Sequence, residues 1–401
     1  MASQAIIFRE TKGSKGFFTL LAVLGVFLVL GAIAFFYAEH HGHHVTGMNN
    51  QTVWGLPHVF AIFLIVAASG ALNVGSIGTV FSKKLYQPMG RLSALVAISL
   101  LIGGLIVLVL DLGHPDRLII AMTHYNFKSI FAWNIILYNG FLALCGMYIW
   151  TMMDRKVKGF YKLAGFSAFT WRLILTTGTG SIFGFLVSRD FYNSAVMAPL
   201  FIVMSFAFGL AIFILVLHFA YKWTERELGE VVMNRLRNLL AVFICGVLLL
   251  ELARHLTGLY IAQRLGVETF ILRDGGIYTQ LFWVGQILLG SLLPLGLIFC
   301  RKLANNRTAL LLAAAFTILG GFAQLYVILI GGQAYPLTLF PGAEVSSGYF
   351  DGAINSYAPS IWELMLGVGG VALALVMVTI GVKVLRFLPD SLSDAMVDPL
   401  K

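Results

Sequence analysis

Hydrophobic and polar positions along this chain fall into long blocks. Ten continuous apolar stretches, 17–37, 58–81, 92–112, 129–152, 164–187, 196–221, 236–262, 277–299, 307–331 and 360–387, each reach the length of a membrane-crossing helix. Such a helix needs about 20 apolar residues. A transmembrane β-barrel would instead alternate polar and apolar positions along each strand. The pattern predicts an all-α polytopic membrane protein of ten transmembrane helices, forming a single integral membrane domain over 1–401. The first stretch follows a short basic leader but is longer than the apolar core of a signal peptide, so it reads as an uncleaved anchor.

Composition agrees with this reading. The chain is 59% hydrophobic and 11% charged, whereas soluble domains carry roughly 25% charged residues. A soluble enzyme, a nucleic-acid-binding domain and a disordered chain are thereby excluded. The net charge of +9 separates by connection. Twenty of the 27 Lys and Arg mark one side: Arg9, Lys12, Lys15, Lys83, Lys84, Arg91, Arg155, Lys156, Lys158, Lys162, Lys222, Arg226, Arg235, Arg237, Arg301, Lys302, Arg307, Lys383, Arg386 and Lys401. Five mark the other (Arg117, Lys128, Arg189, Arg264, Arg273), and two, Arg172 and Arg254, fall within spans. The positive-inside rule then predicts cytoplasmic N- and C-termini. The opposite connections 38–57 and 332–359 are the longest and hold no Lys or Arg. The second of these, rich in Gly, Pro and aromatics, is expected to cap a site or receive a partner.

Ionisable residues at membrane depth are costly and point to function. Most of them here lean toward the outer half: His58 opens span two, Asp111 ends span three, and Glu363 lies near the outer end of span ten. Glu251, Arg254 and His255 stand at i, i+3 and i+4 on span seven, so they share one helix face. That face is either an ion pair holding helices in register or the lining of a proton-handling cavity, for which a His beside a carboxylate is suited. Asp111 either caps its helix and pairs with Arg117 or faces a quinone or a proton. Arg172 in span five lacks an evident partner. Asn73 and Ser76 on span two, and Asn134, Tyr138 and Asn139 on span four, read as interhelical hydrogen bonds or as steps of a proton path.

Metal chemistry is poorly supplied. Cys145, Cys245 and Cys300 are isolated, and no ligand spacing for an iron–sulfur cluster or zinc occurs. The run His40-His41-Gly42-His43-His44 reads as a loop, and His218 reads as a helix-end hydrogen bond. Two haems would need facing histidine pairs at two depths, which the spans do not offer. A mono-haem cytochrome and a proton-coupled secondary transporter remain as alternatives; the outward lean of the charges argues against the central site of a transporter.

The run from Trp54-Gly55 through span two, LVLDLGHPDR at 108–117 and HYNFKSIFAWNIILYNGF at 124–141 resemble the NrfD/PsrC family. These proteins are membrane subunits of polysulfide-reductase-like oxidoreductases. PSIWELMLGVGG at 359–370 resembles the ten-span HybB-like branch, with the DsrP-type subunits of Dsr (DsrMKJOP) complexes nearest. His114 departs from the Arg found in many relatives. The resemblance implies two four-helix bundles, spans two to five and six to nine, with spans one and ten outside. It implies a subunit of the bacterial inner membrane holding no haem or iron–sulfur cluster, which exchanges electrons between menaquinone or ubiquinone and a periplasmic iron–sulfur partner. Implied partners are DsrO-like iron–sulfur, DsrJ-like multihaem cytochrome and DsrM/DsrK-like subunits of a sulfur-metabolism complex. The quinone pocket carried over is His58 and Asp111, with Tyr125 and Asn134 beside them. The expected proton-handling set is Glu251, Arg254, His255 and Arg172.

Overall fold

The computed structural model describes residues 6–11, 13–303, 306–337 and 353–397. Ten long helices cross it: α1 Lys15–His41, α2 Leu56–Thr79, α3 Lys84–Leu110, α4 Ile130–Met153, α5 Tyr161–Gly184, α6 Met197–Trp223, α7 Glu230–Tyr260, α8 Ile277–Phe299, α9 Arg307–Ala334 and α10 Ile361–Val384. Among the described residues nine are apolar enough to span a membrane by length and composition. The exception is α5, where Arg172, Thr176 and Thr179 interrupt the run, and these three are buried against protein. A span whose polar groups face other helices need not be apolar all round.

Helices α2 to α5 pack as one four-helix bundle and α6 to α9 as a second. The bundles meet mainly through α2 and α5 against α6. Outside them, α10 packs on α3 and α2, and α1 packs on α10. The first bundle supplies the most buried helix, α2, and the outermost helix, α1, is the least covered. Among the described residues β-structure is limited to isolated bridges, Phe8 with Pro389 and Leu228 with Leu392. The first of these joins the N-terminal arm to the C-terminal tail, so both lie at one end of the molecule. The other end is hereafter called distal.

Close helix contact explains the seam between the bundles. A Cβ on Gly70 of α2 would collide with the backbone of Ser205 on α6, and one on Gly209 of α6 would collide with Gly70 and Ala71. Small residues allow two backbones to touch where side chains would hold them apart. Gly70→Leu or Gly209→Leu is therefore expected to destabilise the protein by about 1–3 kcal/mol or more. Thermal unfolding in detergent reads this out; an unchanged midpoint would contradict the packing described.

The same helix breaks at Leu72, after which α2 resumes at Asn73. Ser93 of α3 repairs the break by donating to the Ala71 carbonyl at 2.7 Å and accepting from Gly75 N–H at 3.0 Å. Broader π-helical turns occur at Phe270–Asp274, Leu281–Leu292 and Val327–Gly331. The last two carry or adjoin the buried glutamines described below. Helix α7 begins at Glu230, earlier than the apolar run alone indicates. The expected connection 332–359 starts later, because Gly332–Ala334 still forms helix. Its residues 338–352 lie outside the described residues, as do Lys12 and Lys401 of the charge pattern.

Candidate functional site

Gly55 caps α2 and Pro57 occupies its first turn, a position where the missing proline N–H costs nothing. This sets His58 on the first turn at the distal end. Asp111 follows the last residue of α3 and sits at that helix's C-cap. The two meet, with His58 Nδ1 2.8 Å from Asp111 Oδ2. The Asp111 side chain is 3% exposed and that of His58 17%. The two atoms are near enough for an ion pair but are not aligned as a hydrogen bond, and among the described residues neither has another partner. A buried carboxylate beside a half-buried imidazole, with open hydrogen-bonding capacity, is unusual, since buried polar groups are normally satisfied.

Trp54 roofs His58, its ring inclined 27° to the imidazole with centroids 6.5 Å apart. Phe131, Phe183 and Tyr192 surround the indole. The second bundle fixes that roof. Gln333 at the end of α9 accepts from the backbone N–H groups of Val53 and Trp54, each at 3.0 Å, and donates to the Trp54 carbonyl at 3.0 Å. Arg189 donates to the carbonyls of Gln333 and Gln51, both at 2.9 Å. Burial lowers the pKa of this guanidinium from its usual value. Helix α10 holds the approach to α2. Glu363 accepts from the Tyr357 hydroxyl at 2.6 Å, and Tyr357 accepts from Leu56 N–H at 2.7 Å. Glu363 also completes a capping box with Ser360 and accepts from Gly47 N–H.

A second polar group lies in the distal half of the other bundle. Arg254 Nε donates to Glu251 Oε2 at 2.9 Å. Gln286 of α8 and Gln324 of α9 donate to Glu251 Oε1 at 2.7 and 2.9 Å. His255 Nδ1 stands 2.6 Å from Glu268 Oε2, on the short helix Leu265–Thr269 of the distal connection. Phe191 covers the Arg254 guanidinium at 4.3 Å, and Phe282 lies edge-on to His255.

Other expected residues go elsewhere. Tyr125 stacks on Phe127 in the connection before α4 and makes no hydrogen bond to the His58–Asp111 pair. Asn134 donates to the Ile130 and Gly178 carbonyls, so its amide joins α4 to α5. Arg172, 1% exposed, donates to Asn73 Oδ1 at 2.9 Å and lies over Phe169 and Phe206. Its Nε and Nη1 have no acceptor among the described residues, and it makes no hydrogen bond to the Glu251 group. Asn139 is exposed and bonds within its own helix. Asp111 pairs with His58, the Arg117 alternative having no salt bridge among the described residues. Among those residues no group of three or more His, Cys, Asp or Glu is placed to hold a metal ion.

Sequence reasoning missed Glu268, Gln286, Gln324, Gln333 and Arg189. Only Glu268 carried a signal, a carboxylate inside the short apolar run LGVETFIL. The glutamines look like ordinary polar interruptions until their partners are known.

These features define a multi-pass integral membrane protein with buried, ionisable side chains concentrated at one end. The family described as "Polysulphide reductase, NrfD" matches residues 44–336, so the chain belongs to the NrfD family. It is 27% identical over 401 residues to the "Hdr-like menaquinol oxidoreductase integral membrane subunit" of Archaeoglobus fulgidus, covering 98% of this chain and 100% of that protein. It is 25% identical over 409 residues to a selenate reductase subunit of Mesobacillus selenatarsenatis, covering 91% and 93%. It is 22% identical over 310 residues to "Protein NrfD" of Escherichia coli, covering 70% and 95%.

Proposed function

We propose that the chain is the quinone-reactive membrane subunit of a respiratory oxidoreductase complex, and that a quinone head group docks at His58 and Asp111. The observation that carries this reading is the His58–Asp111 pair, 2.8 Å apart with Asp111 buried and His58 half-buried beside Trp54, misaligned for a hydrogen bond and otherwise unpartnered among the described residues. A quinone carbonyl takes a hydrogen bond, and quinol oxidation releases protons that a base must accept. Imidazole and carboxylate meet both needs, while Trp54, Phe131 and Phe183 offer apolar surface to the ring and tail. The quinone supplies the redox chemistry; the protein binds, orients and moves protons. The relative in Archaeoglobus fulgidus, named for menaquinol oxidation, supports menaquinone, with ubiquinone the other candidate.

In this reading the distal end faces outward across a bacterial inner membrane, both termini are cytoplasmic, and electrons are exchanged with an iron–sulfur partner docked distally. The motif likeness further supports a DsrP-like place in a sulfur-metabolism complex with DsrO-, DsrJ- and DsrM/DsrK-like subunits. Tyr125 and Asn134 would edge the quinone site without bonding the head group. Glu251, Arg254 and His255 would handle protons in the second bundle, with Arg172 a fixed positive charge in the first.

Fluorescence tests the binding step. A quinone beside His58 stands against Trp54, so menaquinone titrated into the purified chain in lipid nanodiscs is expected to quench tryptophan emission saturably. Trp54→Phe should remove that saturable component. Saturable quenching that survives Trp54→Phe, or none in the native protein, would contradict the site.

A further inference from the structure

We propose that the buried group in the second bundle is a one-proton site, in which the Glu268 carboxyl, held by His255, takes the exchangeable proton and Glu251 is a fixed counter-anion. Both Glu251 oxygens are already occupied by donors: Gln286 and Gln324 on Oε1, and Arg254 on Oε2. A proton added to Glu251 would point at groups that donate. His255 is different. Arg254 Nη2 approaches its Nε2 at 3.3 Å, and a guanidinium has no acceptor. Nε2 therefore presents its lone pair, and Nδ1 carries the hydrogen donated to Glu268 at 2.6 Å.

Formal charge completes the argument. Two carboxylates, one guanidinium and a neutral imidazole leave one negative charge in excess. All four residues are at least nine-tenths buried, with exposures of 2% for Glu251, 4% for Arg254, 6% for His255 and 3% for Glu268. An unbalanced buried charge is costly, and a single proton removes it. Only the Glu268 carboxyl can take that proton without turning it toward the guanidinium, because His255 Nε2 already faces Arg254 Nη2. That seat belongs to the His255–Glu268 pair. The other groups facing it, Phe191, Phe282, Gln286 and Gln324, do not titrate.

The cavity beside Gln286 and Gln324, lined also by Ser291 and Thr317, has a volume of about 10 Å³ and is lined by neither His255 nor Glu268; it has room for about one water on the Glu251 side of the group. Access favours the distal face, because Glu268 rides on the connection between α7 and α8 and packs against Gly258, where a Cβ would collide with it. The proton pair is therefore the distal end of the group, and Glu251 is the end nearer the membrane centre.

Infrared difference spectroscopy of the purified protein in nanodiscs, titrated with pH in light and heavy water, tests the assignment. The native protein is expected to show one exchangeable protonation signal from this group. Glu268→Gln should remove it, whereas Glu251→Gln, which takes away the excess charge but not the Glu268 carboxyl, should keep it and move it to lower pH. A native protein without the signal, a signal that persists in folded Glu268→Gln, or one lost only in Glu251→Gln would overturn the proposal. The Glu268→Gln result decides alone if Glu251→Gln does not fold. A role for this proton in turnover rests on the quinone reading above, whereas the proton site does not. Menaquinone quenching of Trp54 should be unchanged in Glu268→Gln, so failure of one reading is distinguishable from failure of the other.

Discussion

Replacing Asp111 with Asn, or His58 with Ala, is expected to lower quinol-dependent electron transfer by about a hundredfold or more, the range of a lost general base. The geometry makes the two residues act as a unit. Asp111 is 3% exposed on its side chain and has His58 as its sole ionic partner among the described residues. Asn keeps the shape of Asp111 but cannot accept a proton or stabilise a protonated His58. Ala at 58 leaves the carboxylate without its imidazole partner. Because the residues work together, the double variant should lose little more than either single one. Steady-state turnover of the assembled complex with a menaquinol analogue measures this. Assembly itself should persist, since Trp54 and the start of α2 are held by Gln333, Tyr357 and Glu363. Native turnover in both single variants would remove the pair from the mechanism.

The second large effect is on stability. Arg254→Met is expected to destabilise the protein by about 3–5 kcal/mol, the usual consequence of removing one partner from a buried ion pair. The methionine fills much of the volume under Phe191, so lost packing contributes little. What remains is Glu251 and Glu268 together, both buried, with no cation but a protonated His255 between them. The double change Arg254→Met with Glu251→Gln should recover most of that loss, because the amide restores neutrality and can still accept from Gln286 and Gln324. Thermal or denaturant unfolding in a defined detergent provides the comparison. Equal stability of Arg254→Met and the native chain would show that the charges are not coupled.

Much of this architecture was legible in the sequence because lipid imposes a simple rule. Apolar runs of spanning length gave ten helices at nearly their observed positions, and α8 falls at 277–299 in both. The i, i+3, i+4 spacing put Glu251, Arg254 and His255 on one face, and the structure bonds Arg254 to both neighbours. What helical spacing cannot express is the return of the chain. Glu268 reaches His255 only because the connection after α7 folds back as a short helix. Gln286 and Gln324 reach Glu251 from two other helices. Arg172 likewise found Asn73, which is visible only once α2 breaks at Leu72 and packs beside α5. The limits of α7 were missed for a related reason: its first turn, with Glu230 bonded to Arg307, is polar and lies beyond the apolar run. The residues carried over by family likeness divided in the same way. His58 and Asp111 are fixed at helix ends and meet, whereas Tyr125 lies in a connection whose path no periodicity describes.

A structure of the purified protein in lipid nanodiscs saturated with menaquinone tests the central claim most directly. The account predicts one head group under Trp54, with a carbonyl oxygen in hydrogen-bond reach of His58 and Asp111 at the head group's edge. A head group bound anywhere else, or a saturated sample with none beside His58, would contradict it.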